Sequence, residues 1–577
     1  MRKTCNLYSL LYSKQHSLLF FLSFNHLIVK IMKMKDRNAQ LRSAIGRIPT
    51  KEIIAEVNAI PDEDTVNRQG YSAYSLEDEL RLISMLNTIK LEPQYYRSET
   101  ETMKELRDLI ERLGLKDPYF VAQAIVYSRC MRDGMRSINH LAAALLAPFI
   151  AGEEYAKRFY GPFNKKAQQG GCIFRPDDMS EIKDVFSALN SHTLTNAMKK
   201  GFASVIESLD TYQLAKYKKP VIDIANLVHP KSSNSNATIT IDDKEMKTLD
   251  AIMKGIAVTA DTWESAQSEA GQIVSKAVKE GKLDKEEADK VLTEAKADNW
   301  EALLKEGKLG ILAALRNIRN IVKSEKAVII KLLCNLVSNG ELIKKGLIQP
   351  YQLDLAYEVL VEEFNANANA NLVKNALLKG YELAIPNLKE ALPGKTLIMI
   401  DCSGSMHVGC TSFNAKSRKQ MRHTACDKAG LLAATIAKAT NADVIRFGSR
   451  AEYCSYDPNT NVFDLAKQLS NANMGGTNIA EAFKCATRAG KEYDRIILLS
   501  DNEANCGCTK HAYQDYIRRV CSPYIYAVDL AAYGTIPVKN SDKVQYYFGY
   551  GYKLFDDIAS LEFNPSAHIG KVRKVKI

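Results

Sequence analysis

The stretch 395-KTLIMIDCSGSM-406 decides the fold. Four apolar residues in a row, Leu397 to Ile400, are followed by Asp401, Ser403 and Ser405 on alternate positions. A short unbroken apolar run bounded by polar turn residues is the pattern of a strand buried on both faces, as in a parallel sheet covered by helices. Binding sites in such sheets collect at the carboxyl ends of the strands, and Asp401 stands at such an end. Working outward, the apolar runs TLIMI, ADVIRF, DRIILLS and SPYIYAVDL alternate with helical segments, chiefly KSRKQMRHTACDKAGLLAATIAKAT and NIAEAFKCATRAGKEY. Strand and helix in alternation predict a doubly wound α/β domain with a mainly parallel sheet over residues 389–577.

The preceding region, 36–388, reads differently. Segments such as SLEDELRLISMLN and TMKELRDLIERLG carry apolar residues at spacings of three and four, the mark of amphipathic helices. The long run YFVAQAIVYSRCMRDGMRSINHLAAALLAPFIA is too apolar for one surface helix and predicts two packed helices broken near Asp133 and Gly134. No strict period repeats, so an irregular stack of helical hairpins is expected rather than an idealised solenoid. FNKKAQQGGCIFRPDDMS and HPKSSNSNATITIDD read as loops, and EFNANANANLVKNALLKG as a helix of middling propensity. A chain of 577 residues is expected to form two or three domains.

Composition narrows the function classes. With 46% hydrophobic and 25% charged residues the chain is an ordinary globular protein, and a net charge of +11 spread over this length places any anion-binding surface in a local patch. The twelve cysteines are scattered singly, apart from Cys506 and Cys508, unlike a secreted disulfide scaffold, which points to a reducing cytoplasm. At the N-terminus MRK precedes SLLFFLSF and imitates a short secretory signal. That run is broken by Asn25 and His26 and falls short of the roughly 20 residues of a membrane span. Residues 1–35 are therefore expected to be a leader, disordered or lying ahead of a true start at Met32 or Met34, with no membrane role.

Three strand-end loops of the α/β domain supply oxygen ligands: Asp401, Ser403 and Ser405 after the first run, Thr477 after Gly475 and Gly476, and Asp501 after RIILLS. Hydroxyls and carboxylates without sulfur or imidazole suit a hard divalent cation, Mg²⁺ or Mn²⁺. Two carboxylates offset its charge and leave a position for a carboxylate or phosphate from outside, which suits binding better than chemistry. A polar turn set without metal is the bland alternative. An aspartyl-phosphate hydrolase of the haloacid dehalogenase type also places Asp after its first strand, but needs a second Asp where Ser403 stands. CGCTKH, with Cys506, Cys508 and His511, is tight for structural zinc and reads as incidental thiols. YYFGYGY at 546–552 fits an edge strand and turn as well as a stacking platform for RNA bases.

Asp-x-Ser-x-Ser-Met, Gly-Gly-Thr and the Ser-Asp-Asn-Glu of Ser500 to Glu503 together resemble the metal-ion-dependent adhesion site (MIDAS) of a von Willebrand factor A domain. The helical region resembles the TROVE module of the Ro ribonucleoprotein autoantigens and their bacterial and phage relatives, in NRQGYSAYSLEDELRL, MRSINHLAAAL, LAKYKKPVIDIANLVHPK, LLKEGKLGILAALRN and GLIQPYQLDLAYEV, in the family's order. The resemblance implies a ring of HEAT-like helical hairpins closed by the A domain. Its function would be that of a monomeric, noncatalytic RNA-binding scaffold, taking small Y-like noncoding RNA and the single-stranded ends of misfolded RNA for quality control or processing. An exoribonuclease or another protein would reach the metal. RNA contacts are implied at Arg136 and His140 in MRSINHL, Lys199 and Lys200 in NAMKKGF, Lys216 and Lys218 in LAKYKKP, and His229 in LVHPK. Read alone, each lysine is a solvated helix-face charge, His140 a buried capping residue and His229 a turn residue before Pro230. PVIDIAN stands where the vertebrate relatives carry a WSHKDL-like stretch, which leaves their mode of Y RNA binding open here. The alternative function is a protein-interaction scaffold acting through the divalent metal, without an RNA role.

Overall fold

The computed structural model describes residues 50–577 except 133, 191–192, 242, 257, 259–262, 281, 365, 414–419, 561–563 and 565; the expected leader lies outside the described residues. Six strands build the sheet of the α/β domain: β1 (Thr396–Asp401), β2 (Asp443–Phe447), β3 (Ala451–Cys454), β4 (Arg495–Ser500), β5 (Tyr524–Asp529) and β6 (Val544–Phe548). Their order is β3-β2-β1-β4-β5-β6, parallel except for the β2–β3 hairpin. All six residues of β1 are buried, as its unbroken apolar run requires. The chain leaves β1 toward β2 on one side and returns to β4 on the other, so the crevice between the ends of β1 and β4 is the topological switch point where such sheets bind ligands. Register pairs Asp401 with Phe447 and Ile400 with Leu499, which sets the loops after β1 and β4 side by side.

The aromatic run after residue 545 is the edge strand and turn that its composition allows. Tyr546, Tyr547 and Phe548 are at most 2% exposed and Tyr550 and Tyr552 at most 8%, so these rings fill the core instead of offering an open stacking platform. The helix Tyr552–Ala559 and the helix Asp78–Thr88 both lie against this edge.

The helical region pairs its helices as hairpins: Asp78–Thr88 with Glu99–Lys116, Ser137–Leu146 with Asp177–Asn190, Asn196–Ser208 with Lys218–Val228, and Ala327–Val337 with Ala368–Ala384. Local chemistry sets several of their starts. Ser98 and Glu101 form a reciprocal capping box at the head of Glu99–Lys116. Asn367 Oδ1 accepts from the Ala370 amide at 2.9 Å and starts the helix that the Asn-Ala alternation predicts. The over-apolar run breaks as expected: helix Pro118–Val126 passes into a π-turn at Tyr127–Met131, and the next helix begins at Ser137. Both segments read as loops instead contain short hairpins, Phe163–Asn164 with Gln169–Gly170 and Thr238–Ile241 with Lys244–Lys247. The second is the β-branched alternation of TITI asserting itself over the Ser/Asn-rich surroundings.

Both ends of the helical region dock on the α/β domain. Near its start, strand Ser72–Ser75 pairs with Thr535–Ile536, and helix Lys51–Asn58 packs on Thr509–Arg519. Near its end, the rings of Tyr357 and Tyr381 meet Phe463 at 5.1 and 5.2 Å, and the Tyr381 and Thr435 hydroxyls are 2.7 Å apart. The C-terminal tail returns to the helices, where Gln123 Nε2 donates to the carbonyls of Arg573 and Val575. Helices and sheet thus close on one another. Among the described residues no helix is long and apolar enough to cross a membrane.

Candidate metal centre and basic cavity

Asp401, Ser403, Ser405, Thr477 and Asp501 come together at the switch point and all are buried. The loops of Asp401 and Asp501 follow strands as expected, whereas Thr477 lies on the loop between helices Val462–Ser470 and Ile479–Ala489 and not at a strand end. Asp401 Oδ1 accepts from the Ser403 amide at 2.9 Å, its Oδ2 from Ser500 Oγ at 2.6 Å, and the Ser403 and Ser405 hydroxyls are 3.2 Å apart. Gly404 N–H donates to Gly475 O at 2.7 Å and ties the first loop to the second. Asn505 ties the second to the third: its Oδ1 accepts from the Thr477 amide at 2.9 Å. Gly475 has φ 79°, a left-handed turn that brings Gly476 and Thr477 to the crevice.

The donor set fits a hard cation on two independent counts. Thr477 Oγ1 is buried without a hydrogen-bond partner, an orphan that a metal bond would satisfy. Burial first, and the charge of Asp401 second, hold the Asp501 carboxyl above the usual carboxylate range; burial also raises Asp401. Two buried carboxylates crowded in this way lack positive charge, and a divalent cation would supply it. Ser500 and Glu503 add to the set: Ser500 orients Asp401, and Glu503 is wholly buried with its pKa raised by burial. The second stretch with ligand-type residues does not assemble. Cys508 and His511 are exposed, and among the described residues no group of three or more His, Cys, Asp or Glu side chains is arranged to hold a metal ion.

The residues implied in RNA contacts fall in two places. Arg136 and His140 flank a carboxylate cluster centred on the buried Asp178. Asp178, wholly buried, takes both oxygens to Arg129 Nη2 at 2.8 and 2.9 Å and accepts from the amides of Phe174 and Arg175 at 3.0 and 2.9 Å. His140 Nε2 lies 3.0 Å from Asp178 and its Nδ1 2.6 Å from Glu181, while Arg136 reaches Asp177 and Glu181 at 2.8 and 2.6 Å. His140 is therefore buried, as its plain reading has it, but it lies inside helix Ser137–Leu146 and bridges two carboxylates instead of capping a helix, and Arg136 is partly exposed. Lys199 and Lys200, Lys216, Lys218 and His229 sit on consecutive helices, of which Lys218–Val228 packs against both others. Lys200, Lys216 and His229 are exposed, Lys218 Nζ donates to Ile256 O at 3.2 Å, and His229 caps its helix in the left-handed region at φ 51°.

At the first of these places the fold forms a cavity of about 420 Å³ that local sequence did not announce. Its walls come from the early helices (Lys90, Arg136, Arg175), the late ones (Arg316, Tyr351) and the α/β domain (Tyr550). Arg136 is committed to carboxylates, whereas Arg175 and Arg316 stand outside that cluster. They are 141 positions apart in sequence, so no local pattern could pair them.

Comparison with known proteins agrees with this architecture. Residues 395–518 match the family model described as the Ro60 vWA domain. No curated protein matches the chain. Among solved structures, the crystal structure of the Deinococcus radiodurans RO (RSR) protein superposes with a TM-score of 0.52 at 16% identity, covering 84% of this chain and 99% of that one. At that identity the likeness is one of fold. Residues 395–518 thus match a von Willebrand factor A domain of the Ro60 type, and over 84% of its length the chain shares the helical-plus-A-domain fold of the Deinococcus radiodurans RO protein.

Proposed function

We propose that the chain is a noncatalytic RNA-binding scaffold of a ribonucleoprotein, taking small Y-like noncoding RNA and the single-stranded ends of misfolded RNA. The observation that carries this reading is the basic cavity, where Lys90, Arg175 and Arg316 line one space with Phe174 and Tyr351, and Lys90 lies over the Tyr351 ring at 5.1 Å. Cations beside aromatic faces suit a phosphate chain with stacked bases, and they bind with little sequence preference. Lys199, Lys200, Lys216, Lys218 and His229 supply a second basic surface on which structured RNA would rest. Unpaired cysteines throughout the described residues accord with work in a reducing cytoplasm.

The test is salt-dependent binding of a single-stranded oligonucleotide. Replacing Arg175 and Arg316 by Glu should weaken binding and flatten the slope of log affinity on log salt by about 1.4, at about 0.7 per lost phosphate contact. Lys199→Glu with Lys200→Glu should weaken a structured RNA and spare the single-stranded tail. Unchanged slopes in both variants reject the reading.

A further inference from the structure

The five oxygen donors of the metal centre are at most 8% exposed, too little for an adhesion site that greets a partner from solution. What covers them comes from the helical region. Beside Ser405 and Asp501 lies a cavity of about 70 Å³, walled by Glu92, Gln94, Tyr95 and Tyr533. So small a space is narrow for an incoming protein loop. The wall is pinned: Gln94 Nε2 donates to Ala531 O at 2.9 Å, and Arg97 Nη2 to Ala532 O at 3.2 Å. Between them the Tyr96 ring meets Tyr533 edge-on at 5.5 Å, and its hydroxyl lies against Ser405 with the Asp501 carboxyl near by. The same region grips the far side of the centre. Asn67 Nδ2 donates to Ala504 O at 2.6 Å, and the Arg68 amide to Glu503 Oε2 at 2.8 Å.

We propose that the metal centre is closed from within the chain by residues 92–97, with the Tyr96 hydroxyl over its outer face, so that a bound divalent cation fastens the start of the helical region to the A domain. This rests on reading Asp401, Ser403, Ser405, Thr477 and Asp501 as a cation site. The centre then acts as a joint. Its cation offsets the carboxylates gathered under the segment, and by linkage the docked segment raises cation affinity as much as the cation favours docking. A protein partner could reach the centre only after residues 92–97 had lifted away.

Hydrogen exchange on the full chain, with Mg²⁺ alone or with chelator, tests this in the wild type and in Tyr96→Phe, which keeps the ring and removes the hydroxyl. Mg²⁺ should slow exchange at 401–405 and 501–505 and, several-fold, at 92–97. In Tyr96→Phe the two metal loops should stay protected, while protection of 92–97 by Mg²⁺ is lost. Slowing of the metal loops with 92–97 unchanged in the wild type would show an open site and overturn the joint, as would a Tyr96→Phe profile identical to wild type. No slowing at the metal loops themselves would overturn the cation reading beneath it.

Discussion

At the scale of single residues, Asp178 carries the densest set of obligations outside the metal centre. Burial works to raise its carboxyl, yet His140 and Arg129 outweigh it and hold it far below the usual range. Removing it strands Arg129, itself 3% exposed, along with two backbone amides. Asp178→Ala should therefore cost about 3–5 kcal/mol, the penalty of leaving a buried charge without its partner, measured by urea unfolding. His140 gives a pH signature. Burial opposes the imidazolium, but Asp178 and Glu181 at its two nitrogens prevail and raise its pKa above 6.5. A group whose pKa is raised on folding contributes fully below its unfolded pKa and loses that contribution as pH rises through the folded one. The stability gap between wild type and His140→Gln should accordingly be widest below pH 6.5 and shrink above it, followed by unfolding from about pH 5 to about pH 9.

At the scale of elements, close helix crossings depend on residues without a side chain. A Cβ on Gly380 would stand 2.0 Å from Val337 O, and one on Gly340 would stand 2.7 Å from the Leu383 backbone. Glycine to alanine inside a helix ordinarily gains about 1 kcal/mol. Gly380→Ala should instead lose about 1–3 kcal/mol, because backbone cannot yield as a side chain does, and a lower urea midpoint would show it. Sequence legibility follows the range of the forces at work. The strand of residues 396–401 was readable because burial on both faces writes an unbroken apolar run. Asp401, Ser403, Ser405 and Asp501 were readable as a set because they follow such runs, whereas Thr477, on a loop between two helices, was marked only by the glycines before it. The hairpin at Thr238–Ile241 was missed because four β-branched residues were outvoted by the polar residues around them. The basic cavity and the Tyr96 cover were not readable at all. Arg175 and Arg316 come to line one cavity, and Tyr96 comes to stand by Ser405, only through the tertiary packing of segments far apart in sequence.

At the scale of the whole molecule, that closure makes the metal centre a matter of global stability. Asp401→Asn preserves volume and can keep its oxygen as acceptor for the Ser403 amide, presents an N–H donor where the Ser500 hydroxyl had an acceptor, and deletes one of two buried charges. In chelator the wild type bears the repulsion of Asp401 and Asp501, which the variant lacks, so the variant should unfold no earlier than wild type and somewhat later if the repulsion dominates. With Mg²⁺ the order should reverse. A ligand at 100 times its dissociation constant stabilises by about 2.7 kcal/mol, and a tenfold loss of affinity leaves about 1.4 kcal/mol at the same concentration. Thermal unfolding of both proteins across a Mg²⁺ series should therefore give curves that cross, wild type rising more steeply. Parallel curves would mean that Asp401 holds no cation and that the oxygen cluster at the switch point is a turn kept for its hydrogen bonds alone.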